Sequence, residues 1–234
     1  MCGSAFAAEP ALLVVYSDKP PYSYKVAGGH AGFLIERTQA IFKRADLNYA
    51  LEEMPVKRIT QNIQRNLSPL CSPGWYKLPE REAFARFSLA IQQDLPHVVL
   101  AGAHAIERVR AHKTLKELLA DPDLKMGTVS GTSYGVVLDA MIRAAAHTAL
   151  DATVTPLKMA KMVQYKRADY MLIDQEDYQY LNAQGEVDKS DVRPVQFTDV
   201  SVGLKRYIMC SKQVSPQVMA RMNAAIREVA PGLN

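Results

Sequence analysis

Apolar residues follow two rhythms along this chain, short uninterrupted runs and recurrences at three- and four-residue spacing. Leu12–Tyr16 is an apolar run of the kind a buried strand shows, and Asp18-Lys19-Pro20-Pro21 ends it. After a Gly28-Gly29 turn, Leu34, Thr38, Ile41, Phe42 and Ala45 place one apolar stripe on a helix. Residues 48–54 then alternate like a strand, and Ile59 with Ile63 predicts a second helix. The chain therefore opens β-α-β-α.

The same order resumes further on. Leu115–Leu119 reads as a helix, residues 125–129 as a strand, and residues 135–147 as a helix rich in Ala and Met. A strand over 152–154, a helix over 158–165, a strand over Tyr170–Ile173 and a helix over 175–182 follow. Such alternation favours parallel sheets with right-handed crossovers. Extended stretches at 89–100 and 193–203 join the two series, so the chain is expected to cross twice between two α/β lobes. A strand over 206–210 and a helix capped by Ser215, with Pro216 at its first position, complete the first lobe. The expected divisions are 1–10 as an N-terminal segment, 11–96 with 195–234 as the first lobe, and 97–194 as the second.

Composition narrows the classes. Of 234 residues 48% are apolar, enough for a large core, and 28 basic side chains stand against 24 acidic ones without any long block of like charge. That small excess argues against a nucleic-acid footprint or a polybasic membrane patch. No run approaches the ~18 apolar residues of a spanning helix, so a soluble mature chain is expected.

The first residues carry a different signal. Ala5-Phe6-Ala7 before Ala8-Glu9-Pro10 has the small-x-small form of a signal-peptidase site, without the basic and apolar regions that precede one. Residues 1–7 are read as the tail of a truncated export signal, with an Ala-rich disordered start as the alternative. Cys2 falls inside that segment. Cys71 and Cys210 remain, either as a disulfide suited to an oxidising compartment or as two separate buried thiols.

Five segments in order resemble the family 3 extracellular solute-binding proteins, the periplasmic components of polar amino-acid importers. Pro20-Pro21-Tyr22-Ser23-Tyr24 is similar to the family's early "PPF", and Gly32-Phe33 to the "GF" that opens its first helix. Leu78-Pro79-Glu80-Arg81 followed by Phe87-Ser88 resembles "TPER…FS"; Gly131-Thr132-Ser133 resembles its "GTT/GTS" turn; Arg167-Ala168-Asp169 with Asp174 resembles "GRxDAxxxD". The resemblance implies a two-lobed periplasmic-binding-protein fold of the venus-flytrap type, with the ligand held in the cleft between lobes. By it, Arg81 clamps a ligand carboxylate, Thr132 and Ser133 bind from the second lobe, Asp174 holds an amino group and Tyr22 packs on the ligand's body.

One stretch departs from the family. Residues 68–77 carry Pro69 about where an Asp would stand, and bring Gly74, the only Trp (Trp75) and Tyr76 to the floor of the implied cleft. A rebuilt floor of this kind suits a flatter, more aromatic or smaller ligand.

The residue types fit those roles. A guanidinium presents a planar fork to both oxygens of a carboxylate, which lysine cannot reproduce, although Arg81 beside Glu80 and Glu82 also reads as a solvated loop residue. Thr132 and Ser133 lie between a strand and a helix, where free N–H groups and the helix dipole welcome an anion, and where a hydroxyl also caps a helix. Asp174 ends an apolar strand, at the edge where α/β sheets bind ligands or as the N-cap of the following helix.

Gly131-Thr132-Ser133-Tyr134-Gly135 matches the G-x-S-x-G of a nucleophile elbow. The only downstream histidine is His147, on the same expected helix and roughly 20 Å away, so that triad does not close. The histidines and cysteines show no metal-ligand spacing, and no phosphate-loop or dinucleotide motif is present. The expectation is therefore a non-enzymatic, cofactor-free, monomeric periplasmic binding protein. It captures an amino acid or related small acid, with an ABC importer's membrane subunits as the partner the family implies. A sensing subunit acting through a separate receptor, and an enzyme on a small cyclic acid, are the alternatives.

Overall fold

Val14, Val15 and Tyr16 are all buried, so the first apolar run becomes a central strand rather than an edge. It is β1 (Leu12–Tyr16) in a computed structural model that describes residues 11–145, 149–200 and 202–233. The chain divides into two compact units, one of residues 1–92 with 205–234, the other of residues 93–204. The boundaries expected from sequence stand at 96/97 and 194/195, against 92/93 and 204/205 here; the second lies further on because β11, described below, and the residues after it belong to the second unit. The expected export signal and Cys2 lie outside the described residues, as does His147.

In the first unit, β1 is followed by a small hairpin, β2 (Tyr24–Val26) and β3 (Gly29–Ala31), then by α1 (Phe33–Arg44), β4 (Tyr49–Glu53) and α2 (Val56–Arg65). Next come β5 (Leu70–Tyr76), a single turn α3 (Pro79–Glu82) and β6 (Ala85–Gln93). The stripe on α1 buries Leu34, Ile35, Thr38, Ile41 and Phe42, and the buried Thr38 hydroxyl donates to the Leu34 carbonyl at 2.6 Å. Each fully buried aliphatic side chain contributes about 1.5–3 kcal/mol.

The second unit runs β7 (Val98–Gly102), α4 (Ile106–Ala111), α5 (Leu115–Leu119), β8 (Met126–Val129), α6 (Val136–Ala144), β9 (Ala149–Ala152), α7 (Pro156–Gln164), β10 (Tyr170–Ile173), α8 (Gln175–Ala183) and β11 (Val192–Val195). The chain then returns to the first unit as β12 (Lys205–Ser211) and α9 (Pro216–Val229). Ser215 accepts from the Val218 N–H, the expected cap, worth about 1 kcal/mol.

Each unit holds a five-stranded sheet, ordered β4-β1-β5-β12-β6 in the first and β11-β7-β10-β8-β9 in the second. Neither is wholly parallel. β1 runs parallel to β4 and β5, and β8 to β9 and β10, as expected, but β12 runs antiparallel to β5, and β7 antiparallel to β10 and β11. The antiparallel strands are those next to the two crossings.

β5 contains Pro73 at a central position of the sheet, which a regular ladder does not tolerate. The strand accommodates it with a bulge. Ile208 pairs with Pro73 and Tyr207 with Trp75, so Gly74 is the extra residue, at φ +92°. A Cβ there would stand 2.8 Å from Leu34 Cδ1. On the N-terminal side of Pro73 in the same strand, Cys71 pairs with Cys210, and the two form a disulfide across β5 and β12. Among the described residues no helix is long and apolar enough to cross a membrane.

Candidate functional site

β1 and β5 are parallel, so Tyr16 and Tyr76 end on the same edge of the first unit's sheet. β12 runs the other way, which brings its second residue, Arg206, opposite Tyr76 at that edge. Ligands of open α/β sheets bind outside the carboxyl ends of the strands.

Arg81 is anchored there. Its guanidinium donates to the Tyr76 carbonyl at 3.1 Å and its Cζ lies 4.9 Å from the Trp75 ring centroid. Trp75 in turn donates through Nε1 to the Ser72 hydroxyl at 2.8 Å. The structure thus brings Gly74, Trp75, Tyr76 and Arg81 together, as a turn fixed to the end of β5. Tyr22 is 1% exposed and packs on Phe33 at 4.7 Å between ring centroids.

The group sequence reasoning missed is Arg206. It is 7% exposed and donates to the Gly74 carbonyl at 2.9 Å and the Tyr76 hydroxyl at 3.1 Å. Its Cζ stands 4.4 Å from the Tyr22 ring centroid and 4.6 Å from that of Tyr76. Lys19 Nζ lies 4.2 Å from the same Tyr22 centroid. The one available signal is a charged residue inside a run that otherwise reads as a buried strand.

In the second unit, three N–H groups of the turn after β8 have partners within the chain. The Thr132 N–H donates to the Val129 carbonyl at 3.1 Å, the Tyr134 N–H to Asp139 Oδ1 at 2.8 Å, and the Gly135 N–H to the Ser133 hydroxyl at 3.1 Å. Ser133 donates to Asp139 Oδ2 at 2.5 Å. A carboxylate from within α6 therefore holds this turn, and the hydroxyl of the G-x-S-x-G serine points to a carboxylate rather than an imidazole. Thr132 is exposed and, with Thr128, Tyr134, Asp139, Arg143 and Asp151, lines a pocket of ≈270 Å³.

Asp174 occupies the N-cap position of α8 yet makes no capping bond with its side chain. It meets His97 instead, with Nε2 3.0 Å from Oδ1, the residues being 4% and 9% exposed. The Tyr134 ring packs edge-on against His97 at 5.7 Å. Burial, then the charges of Asp174 and Asp139, push the Tyr134 phenol well up. Asp94, Asp177 and Asp174 are buried, and burial raises the Glu176 carboxyl, with Asp94 and Asp174 adding to the shift. The edge at the end of β10 is accordingly acidic, whereas that of the first unit carries Lys19, Arg81 and Arg206 together with Asp18 and Glu53 near Tyr16.

Residues 12–230 match the family model of the bacterial extracellular solute-binding proteins, family 3. The chain belongs to that family. No curated protein matches it significantly. Among solved structures it resembles the arginine-, lysine-, histidine-binding protein ArtJ from Geobacillus stearothermophilus, at TM-score 0.72 and 16% identity over 93% of this chain and 89% of that one. The Bordetella pertussis BvgS VFT2 domain gives 0.72 and 14% over 95% and 89%. The ancestral amino acid-binding protein AncCDT-1, a precursor of cyclohexadienyl dehydratase, gives 0.71 and 20% over 93% and 88%.

At these identities the likeness establishes the fold, the type II fold of periplasmic binding proteins. In this family 3 solute-binding protein Arg81 is bonded to the last residue of β5, and Asp174, which follows β10, meets His97.

Proposed function

We propose that this protein captures a small carboxylate-bearing ligand, an amino acid or related small acid, in the periplasm for an ABC importer. Arg81 takes the carboxylate, Asp174 the amino group, and Thr132 binds from the second unit beside Ser133, whose hydroxyl is held by Asp139. The observation that carries this reading is the opposite charge of the two strand edges: guanidinium groups laid on aromatic rings in the first unit, buried carboxylates in the second. A small zwitterion answers both. The covalent staple between Cys71 and Cys210 suits an oxidising compartment.

The test is thermal unfolding against amino acids, small carboxylates and aromatic acids, followed by Arg81→Ala. A ligand at a hundred times its dissociation constant adds about 2.7 kcal/mol of stability. Stoichiometric binding without product, lost in Arg81→Ala, is the expected result. Turnover of a bound cyclic acid would replace the carrier by an enzyme, and no shift with any acid would overturn the reading.

A further inference from the structure

Asp139, Ile142 and Arg143 recur at three- and four-residue spacing on α6, and all three line the pocket that Thr132 also lines. The sheet supplies more of that lining. Thr128 of β8 stands directly against Asp151 of β9, the edge strand, and its hydroxyl donates to Asp151 Oδ1 at 2.9 Å, while Ser130 donates to Oδ2 at 2.6 Å. Two carboxylates, a guanidinium and threonine hydroxyls therefore share ≈270 Å³, all within the second unit. That volume falls just short of the ~300 Å³ at which pockets begin to suit drug-sized ligands, so the occupant is small.

The charges of this pocket do not neutralise one another. Asp139 and Arg143 stand four apart on α6, the spacing at which an acid and a base ordinarily pair, yet Asp139 is drawn back to the Ser133 hydroxyl and the Tyr134 N–H. Among the described residues neither Asp139, Asp151 nor Arg143 takes part in an ion pair. An ionised carboxylate has about four acceptor sites. Neutral donors fill two on each aspartate, so both keep acceptors for an incoming ammonium. Their charges also meet at one ring: after burial and Asp174, Asp139 and Asp151 raise the phenol of Tyr134, which lines the pocket with them.

From this arrangement we infer that the pocket is a second binding site, for a small zwitterion whose ammonium meets Asp139 and Asp151 and whose acid group meets the fork of Arg143. A cation alone would leave the guanidinium without a counter-charge, and an anion alone would face two carboxylates. A molecule with both groups satisfies all three. The site shares Thr132 with the binding reading above but needs neither Arg81 nor Asp174, so the two stand or fall separately.

β-Alanine, propylamine and propionate share one carbon skeleton and carry both groups, the ammonium alone and the acid alone. Titrated into isotope-labelled protein and followed by NMR, β-alanine should shift the amide signals of Thr128, Gly131 and Ile142. Propylamine and propionate should bind there more weakly by roughly tenfold or more, the size of one charged hydrogen-bonded contact. Asp151→Asn, which keeps an acceptor for Thr128, and Arg143→Gln both change exposed residues and should fold, and each should weaken β-alanine by a similar factor. Shifts confined to Tyr76, Arg81 and Asp174 would put β-alanine in the site of the binding reading and overturn this one. Either single-group probe binding as tightly as β-alanine at the pocket amides would overturn the zwitterion class, and unchanged affinity in both folded variants would overturn the assignment to these residues. No shift at the pocket amides would remove the second site and leave acid capture through Arg81 to its own test.

Discussion

Asp174 and His97 meet inside the second unit, with 3.0 Å between Oδ1 and Nε2 and almost no solvent on either residue. The aspartate immediately follows β10 and the histidine immediately precedes β7, and those strands are antiparallel neighbours with Ile173 opposite Val98, so the sheet register itself sets the pair. Replacing His97 by Ala removes an imidazole from a buried carboxylate, and the loss of such a partner costs about 1–3 kcal/mol. The urea midpoint should fall with little change in the slope of the transition. An unchanged midpoint would mean that the carboxylate draws no net stability from the ring.

Glu176 should leave a mark on the pH dependence of stability. Burial lifts its carboxyl above the ordinary 4.5, against the bond it accepts from the Leu95 N–H at 2.7 Å. An acid with a higher pKa folded than unfolded holds more protons in the native state, so its contribution is greatest below 4.5 and declines as pH rises towards the folded value. Glu176→Gln keeps an acceptor for Leu95 and cannot ionise. It should unfold at higher urea than the parent at neutral pH, and the advantage should vanish in acid. A constant advantage at every pH would point to packing instead.

Gly74→Ala tests the bulge. The backbone at φ +92° is one that L side chains rarely adopt, and the added methyl meets Leu34 Cδ1. A cost of about 1–3 kcal/mol is expected, read as a lower melting temperature together with altered Trp75 fluorescence, because Trp75 follows directly on the strained residue. A parental melting curve would show that β5 repairs its register without the glycine.

Asp139→Ala removes the carboxylate that gathers the Ser133 hydroxyl and the Tyr134 N–H at the start of α6. Hydrogen exchange at the Tyr134 and Gly135 amides should accelerate, with the cores of the sheets unaffected, and the loss should be about 1 kcal/mol. Unaltered exchange at both amides would contradict the role given to Asp139.

What could be read in advance divides by distance along the chain. β1, α5 and β10 fall within the residues their apolar patterns predict, because period and punctuation are local. The hairpin of β2 and β3 is three residues a side with no apolar run, and α4 is six residues long, so neither leaves a periodic trace. The same holds at the candidate site. Gly74, Trp75, Tyr76 and Arg81 sit within one short segment and are legible together, whereas Arg206 bonds residues 132 and 130 positions away. Asp139 is close in sequence to Ser133, but nothing in a helix's apolar stripe announces that a carboxylate on its first turn will fold back on the loop before it.

The bond between Cys71 and Cys210 spans 139 positions of sequence, and the whole second unit lies inside that span. The second unit is therefore a loop hung from a covalent ring whose clasp is in the first. A protease that cuts anywhere between Gln93 and Leu204 opens the ring without dividing the molecule: the two pieces travel as one under oxidising conditions and part only when the clasp is reduced. Severed halves of this chain keep their sheet partner across β5 and β12, so damage to the second unit need not release the first from its own fold.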